Sequence, residues 1–213
     1  MDSSEDMQFT AEEFDRWAAS YDQSVLPDTG FPFDGYSRVL QTVVDRAVVN
    51  EGDSVLDLGT GTGNLAELLV RKRCKVWGLD FSEPMLQIAR SKLPEVSFAQ
   101  ADVRAAWPPE FCRRYNAIVS GYTFHHFSLR EKVAQVRRLL DEYTLPGGRV
   151  VIGDIAFADA AAEAHLRRTL GDDWEQEYYW LADETLAAFS AAGIRAGFIG
   201  ISSCAGVFYF AAD

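Results

Sequence analysis

Val55-Leu56-Asp57-Leu58-Gly59-Thr60-Gly61-Thr62-Gly63-Asn64 is the stretch that decides the fold of this chain. An apolar strand pattern runs straight into three glycines at alternate positions. Leu65, Leu68 and Leu69 then share one face of a helix reaching about Arg73. Gly59, Gly61 and Gly63 let the backbone turn sharply and leave no side chain between it and a ligand. The next strand, Lys75–Leu79, ends at Asp80, 21 positions after Gly59. A bare loop paired with a carboxylate at the neighbouring strand tip is how an α/β fold holds a nucleoside.

The β/α alternation continues downstream. Ser82 is expected to cap a helix with Pro84 in its first turn, where proline is tolerated. Strand Val96–Ala101 ends at Asp102. Strand Ala117–Ser120 leads to Ser128, which with Glu131 forms a capping box opening a helix to about Tyr143. Pro146-Gly147-Gly148 turns into strand Arg149–Gly153, and Asp183 is expected to cap a helix that Gly193 ends. Ile194–Ile201 and Val207–Phe210 are joined too tightly for a crossover, so they should be antiparallel. Upstream, Thr10 and Glu13 read as a capping box and Phe9 and Phe14 as a hydrophobic staple, opening a helix to about Ala19. Residues 23–35 read as a loop. A helix over about 36–50 follows, with Val39, Leu40, Val43, Val44 and Ala47 on one face. The expected architecture is α/β: a doubly wound, mostly parallel seven-stranded sheet with an antiparallel last strand. It should form a single domain over 1–213, with 1–50 as a helical lid and 155–182 as an insertion shaping a pocket.

Composition narrows the partners. With 213 residues the chain is long enough to bury a sizeable core. A net charge of −12 disfavours a nucleic-acid groove and an anionic membrane surface. A small molecule or a protein partner suits it better, and the oligomeric state stays open, a homodimer included. Cys74, Cys112 and Cys204 are scattered without a CxxC pair, as expected of reduced thiols in the cytoplasm. The acidic N-terminus is no signal peptide, and no apolar run approaches the roughly 18 residues of a membrane span.

The order of motifs resembles the class I S-adenosylmethionine-dependent methyltransferases over essentially the whole chain. It is most similar to the small methyltransferase type 11 group that includes ubiquinone/menaquinone-biosynthesis-like and YrrT-like enzymes. Phe14-Asp15-x-Trp17-Ala18-x-x-Tyr21-Asp22 matches the family's opening segment and Val55–Asn64 its first motif. Ala101-Asp102-Val103 carries its adenine-proximal acid, Ser120–Phe127 its post-strand segment, and Gly147-Gly148 its glycine turn. A dinucleotide-binding dehydrogenase also begins with strand, glycine loop and helix. Its G-x-G-x-x-G spacing puts Asn64 at the third glycine counting from Gly59, or the permitted Ala66 counting from Gly61. Asp102, the Tyr21-Asp22 segment and the antiparallel end weigh against it.

The resemblance implies a methyltransferase fold, S-adenosyl-L-methionine as cofactor, and a small-molecule methyl acceptor. It places Gly59, Gly61 and Gly63 against the methionine and ribose end of the cofactor. Asp80 would accept both ribose hydroxyls, or else serve as a charge at a helix N-terminus. Asp102 would meet the adenine amino group with Val103 beside the ring, or be a solvated loop acid. Phe81 and Met85 cover the ring face or pack in the core. Asp57, costly to bury, would accept from the glycine loop or act through water on the cofactor's ammonium. Tyr21 would stand at the amino-acid end, with Trp17 beside it, and Ser120 in the post-strand segment nearby. His125 and His126 are the candidate bases for a substrate hydroxyl or thiol, against a packing role. Adjacent histidines should face different directions and no acidic cluster completes a zinc set, so no metal site is expected. Tyr122, Thr123 and Asp154 lie near strand ends, where this sheet type places ligands. The aromatic run Trp174-Glu175-Gln176-Glu177-Tyr178-Tyr179-Trp180 would shape an acceptor pocket or simply be buried. A cofactor-binding protein without transfer activity is the rival from another class.

Overall fold

The computed structural model describes residues 11–211. Helix α1 (Ala11–Val25) and helix α2 (Tyr36–Ala47) precede the sheet. Then come β1 (Ser54–Leu58), α3 (Asn64–Arg71), β2 (Lys75–Asp80), α4 (Glu83–Lys92), β3 (Ser97–Gln100) and β4 (Tyr115–Gly121). The second half holds α5 (Leu129–Arg138), β5 (Thr144–Phe157), α6 (Ala160–Leu170), β6 (Trp180–Leu181), α7 (Ala182–Ala191), β7 (Arg195–Gly200) and β8 (Ala205–Ala211).

The main sheet has the order β3-β2-β1-β4-β5-β8-β7. Its first five strands are parallel, and β8 runs antiparallel to both neighbours. The two-residue β6 pairs with the end of β5, off this path. Side-chain alternation along each strand feeds two cores. Val55, Val119, Val151 and Val207 face α2 and α3. Leu56, Ile118, Ile152 and Phe208 face the opposite way, toward Val136 of α5 and Phe189 of α7. Covered on both faces, β1 is buried along its whole length, which is why its sequence reads as a continuous apolar run.

Local signals largely hold. The Ser82 hydroxyl accepts from Met85 N, and Ser128 and Glu131 make the full capping box. The Thr10–Glu13 capping box and the Phe9–Phe14 staple lie outside the described residues. Three expectations need correction. Helix α1 continues past Ala19 to Val25. Asp183 is not the N-cap of α7; that position is Leu181, whose side chain cannot cap, and Asp183 stands in the first turn, its carboxylate accepting from Glu184 N. The strand expected over Arg149–Gly153 is longer at both ends, as β5 runs from Thr144 to Phe157, and α6 follows. Helix α6 buries no residue, so the sequence carries no apolar stripe to announce it. Among the described residues no helix is long and apolar enough to cross a membrane.

Candidate active site

The strand order reverses between β1 and β4, since β2 lies on one side of β1 and β4 on the other. Such a switch point opens a crevice at the carboxyl ends of the strands. A cavity of about 480 Å³ occupies it, a size suited to a small-molecule site. Its floor is Gly59 and Gly61 after β1, Asp80 and Phe81 at the tip of β2, and Gly121, Tyr122 and Thr123 at the tip of β4. Met85 of α4 closes one side. Trp17, Tyr21 and Phe31–Phe33 form the roof, and Glu177 and Tyr179 complete the far wall with His125 and His126.

Asp80 organises the cofactor end. Its Oδ2 accepts the Gly61 N–H at 2.7 Å and its Oδ1 the Ser82 N–H at 2.9 Å. With a third N–H from Phe81, this leaves a lone pair for a ligand hydroxyl. Burial pushes this carboxyl up to about 6, against the three backbone N–H groups that favour its charge. Asp57 lies deeper. Burial carries it to about 7, opposed by the Thr60 hydroxyl, which donates at 2.7 Å, and reinforced by the charge of Asp80. Gly61 has a positive φ and nothing within 4 Å of where a Cβ would stand, so its backbone faces open space.

Helix α1 is fastened over this loop. Asp22 Oδ1 accepts from the Thr62 hydroxyl at 2.6 Å and from Asn64 Nδ2 at 3.1 Å, while Lys92 Nζ bonds its other oxygen. The Ser82 hydroxyl donates to Asp15 at 2.6 Å. Tyr21 meets Trp17 edge to face, and Phe33 and Tyr122 extend the aromatic roof. Tyr122 holds φ +53°, rare for a bulky residue, with its N–H bonded to Gly153 O. Strain of this kind gathers at functional sites.

At the far end, His125 and His126 sit on a single 3₁₀ turn, Phe124–His126. The reading that they face apart is overturned. Their ring centroids are 4.1 Å apart, and Glu177 Oε2 lies 3.3 Å from His125 Nε2 and 3.8 Å from His126 Nδ1. The tight turn brings both rings to one side, and the chain before β6 supplies the acid that the sequence shows no reason to place there. Donor atoms of these three side chains all lie within 4.8 Å of one another.

Of the candidate residues, Tyr21, Gly59, Gly61, Asp80, Phe81, Met85, His125 and His126 meet at this cavity. Five others stand off its wall. Asp57 is beneath the loop, and Gly63 packs against Ala89 and Leu93. Ser120 spends its hydroxyl on Leu58 O. Asp102 pairs with Arg104 at 2.9 Å, and Val103 is in the core. Phe31 and Phe33 are wall residues that no local pattern singled out. Glu177 and Tyr179 belong to the aromatic run expected to shape an acceptor pocket.

Comparison with known proteins gives the family and the fold. The Methyltransferase domain family matches residues 55–148. An uncharacterized methyltransferase of Geobacillus kaustophilus (strain HTA426) is 37% identical over 204 residues, covering 87% of this chain and 88% of the relative. An uncharacterized methyltransferase YrrT of Halobacillus halophilus is 29% identical, covering 90% and 92%. Among solved structures, the DhpI-SAM-HEP complex superposes with a TM-score of 0.74 at 19% identity, covering 99% of each chain. The chain belongs to the same methyltransferase family as these relatives.

Proposed function

We propose that this protein is a cytoplasmic enzyme that binds S-adenosylmethionine and passes its methyl group to a small-molecule acceptor by in-line displacement. The observation that carries the reading is the placement of Asp80: a buried carboxylate, braced by the glycine loop, opening onto a cavity whose other end holds the two histidines. The residues present fit the cofactor. Gly61 offers bare backbone, Asp80 has a lone pair to spare for a ribose hydroxyl, and Phe81 and Met85 offer apolar cover for a base. When bound, the cofactor supplies an already activated methyl group.

The protein's own part is then alignment and exclusion of water. The aromatic roof on α1 and the Phe31–Phe33 loop covers the cavity, and residues 171–179 shape the acceptor end. No Lys or Arg lines the cavity among the described residues. That lining suits a cationic cofactor and offers no countercharge to a polyanion, which also disfavours nucleic acid as the acceptor.

The experiment is calorimetric titration with S-adenosylhomocysteine beside transfer of labelled methyl to a product. The expected result is binding by the wild type, a loss of at least about tenfold in affinity in Asp80→Ala, equivalent to about 1.4 kcal/mol, and transfer by the wild type alone. Undiminished binding by Asp80→Ala removes the site assignment. Binding without transfer would mark a cofactor-binding protein instead, and thermal stabilisation by NAD alone would mark a dehydrogenase.

A further inference from the structure

One end of the cavity is built more tightly than alignment alone requires. Asp154 is fully buried at the end of β5. Its Oδ1 lies 2.6 Å from His125 Nδ1 and accepts the Ile155 N–H at 2.8 Å. Its Oδ2 accepts the Trp180 indole N–H at 3.0 Å. An ionised carboxylate only accepts, so this contact fixes the proton on Nδ1 and turns Nε2 outward as the free acceptor. His125 lines the cavity, and its Nε2 lies 3.3 Å from Glu177 Oε2. The Glu177 side chain is only 9% exposed, and its Oε2 has no hydrogen-bond partner among the described residues.

We infer that Asp154, His125 and Glu177 form a proton relay, and hence that the acceptor is a neutral hydroxyl or thiol that must lose its proton as it is methylated. The inference rests on the methyl-transfer reading above. His125 Nε2 is the receiving atom, Asp154 is a positioning residue, and Glu177 is the exit. The acceptor atom's lone pair forms the new bond to the methyl carbon, while the carbon–sulfur pair stays on sulfur. The pair of the broken X–H bond stays on the acceptor atom as its proton moves to Nε2. That proton then passes from Nε2 to Glu177 Oε2, which returns His125 to its starting tautomer.

The charges around the ring agree. Burial alone would push His125 down, but the charge and hydrogen bond of Asp154, with Glu177 beyond, raise it. Burial would raise Asp154, but His125, Lys132 and the Trp180 N–H hold it low. His126 is driven the other way, to about 3, by burial and by the charge of His125, so it stays neutral and is a poor base. Lys132 of α5 is lowered to about 8 by burial; its Nζ bonds Tyr178 O and lies over the Trp180 ring at 4.4 Å. Tyr122, Arg104, Glu175 and Tyr179 also have fields that reach these side chains. The geometry thus separates two histidines that the sequence leaves equivalent.

The test is nitrogen NMR of the ligand-free chain, which has only three histidines, the third being the exposed His165. His125 should carry its proton on Nδ1 and titrate above an ordinary histidine. Asp154→Asn should lower that midpoint by about one unit or more, and Glu177→Gln by less. Should Asp154→Asn fail to fold, Glu177→Gln decides alone. A neutral His125 protonated on Nε2, or a midpoint that neither variant moves, overturns the relay.

Activity is read with tritiated-methyl cofactor on a panel of phenols, alcohols and thiols beside tertiary amines. Transfer should go to the protic members. Its rate should rise tenfold per pH unit up to the His125 midpoint and level off above it, because only the neutral ring can receive a proton. Glu177→Gln should lower kcat about tenfold with KM and S-adenosylhomocysteine affinity kept. Transfer to none of the protic members, or only to the amines, overturns the acceptor class. Activity lost to a chelator and restored by a divalent ion overturns the relay in favour of a metal centre at His125, His126 and Glu177. If S-adenosylhomocysteine does not bind at all, the methyl-transfer reading fails, while the NMR result still judges the proton arrangement.

Discussion

Gly59 and Gly61 are two positions apart and both hold a positive φ, yet they do different work. A Cβ on Gly59 would stand 2.0 Å from the Thr123 hydroxyl, so the loop after β1 and the tip of β4 touch there. A Cβ on Gly61 would meet nothing within 4 Å and would project into the cradle. Gly61→Ala should therefore cost only the left-handed strain, about 1–2 kcal/mol, while removing most cofactor affinity. Gly59→Ala should cost clearly more stability, since overlap is added to strain. Urea unfolding beside calorimetry separates the two, and equal losses of stability would contradict the packing described. The alternate glycines, Asp80 and the histidines were legible because each is a residue type with a special backbone or charge at a strand tip. Glu177 was legible only as part of an aromatic run, because its partners His125 and His126 come from the 3₁₀ turn, far away in the chain.

At the level of elements, α1 is held by few, specific bonds. Its grip on the glycine loop runs through Asp22 to Thr62, Asn64 and Lys92, and through Asp15 to Ser82. Asp22→Ala removes most of that grip without touching either core. The expected outcome is faster amide exchange across 11–25 and weaker cofactor binding, with global unfolding shifted by only about 1 kcal/mol. An unchanged exchange pattern would mean that the aromatic contacts of Trp17 and Tyr21 hold the helix unaided. The capped helices α4 and α5 could be read from the chain because Ser82, Ser128 and Glu131 act on near neighbours. Helix α6 and strand β6 could not: one buries nothing, and the other is two residues whose pairing depends on where β5 ends.

Taken whole, the molecule concentrates costly charge at one edge of its sheet. Asp57 and Asp80 have native pKa values near 7 and 6, above the usual carboxylate value, chiefly through burial. A raised carboxyl stabilises the fold below its unfolded pKa, and that contribution is lost as pH climbs through the native value. His125, also raised, loses its contribution in the same direction, while Asp154, held low, contributes throughout this range. The ligand-free protein should thus lose on the order of 2 kcal/mol between pH 5.5 and pH 8, read by urea midpoints, and Asp57→Asn should flatten the slope. A slope of the opposite sign would show that these acids are not desolvated. The parallel sheet and its reversed strand were foreseeable from alternation and one tight connection. The closure over its carboxyl edge was expected only through the family resemblance, as a lid over 1–50 and a pocket-shaping stretch over 155–182, since α1 and residues 171–179 meet there only once the sheet exists. That closure brings with it a built-in optical gauge. Of five tryptophans, Trp17 alone borders the cavity among the described residues, so its emission reports occupancy with no dye attached.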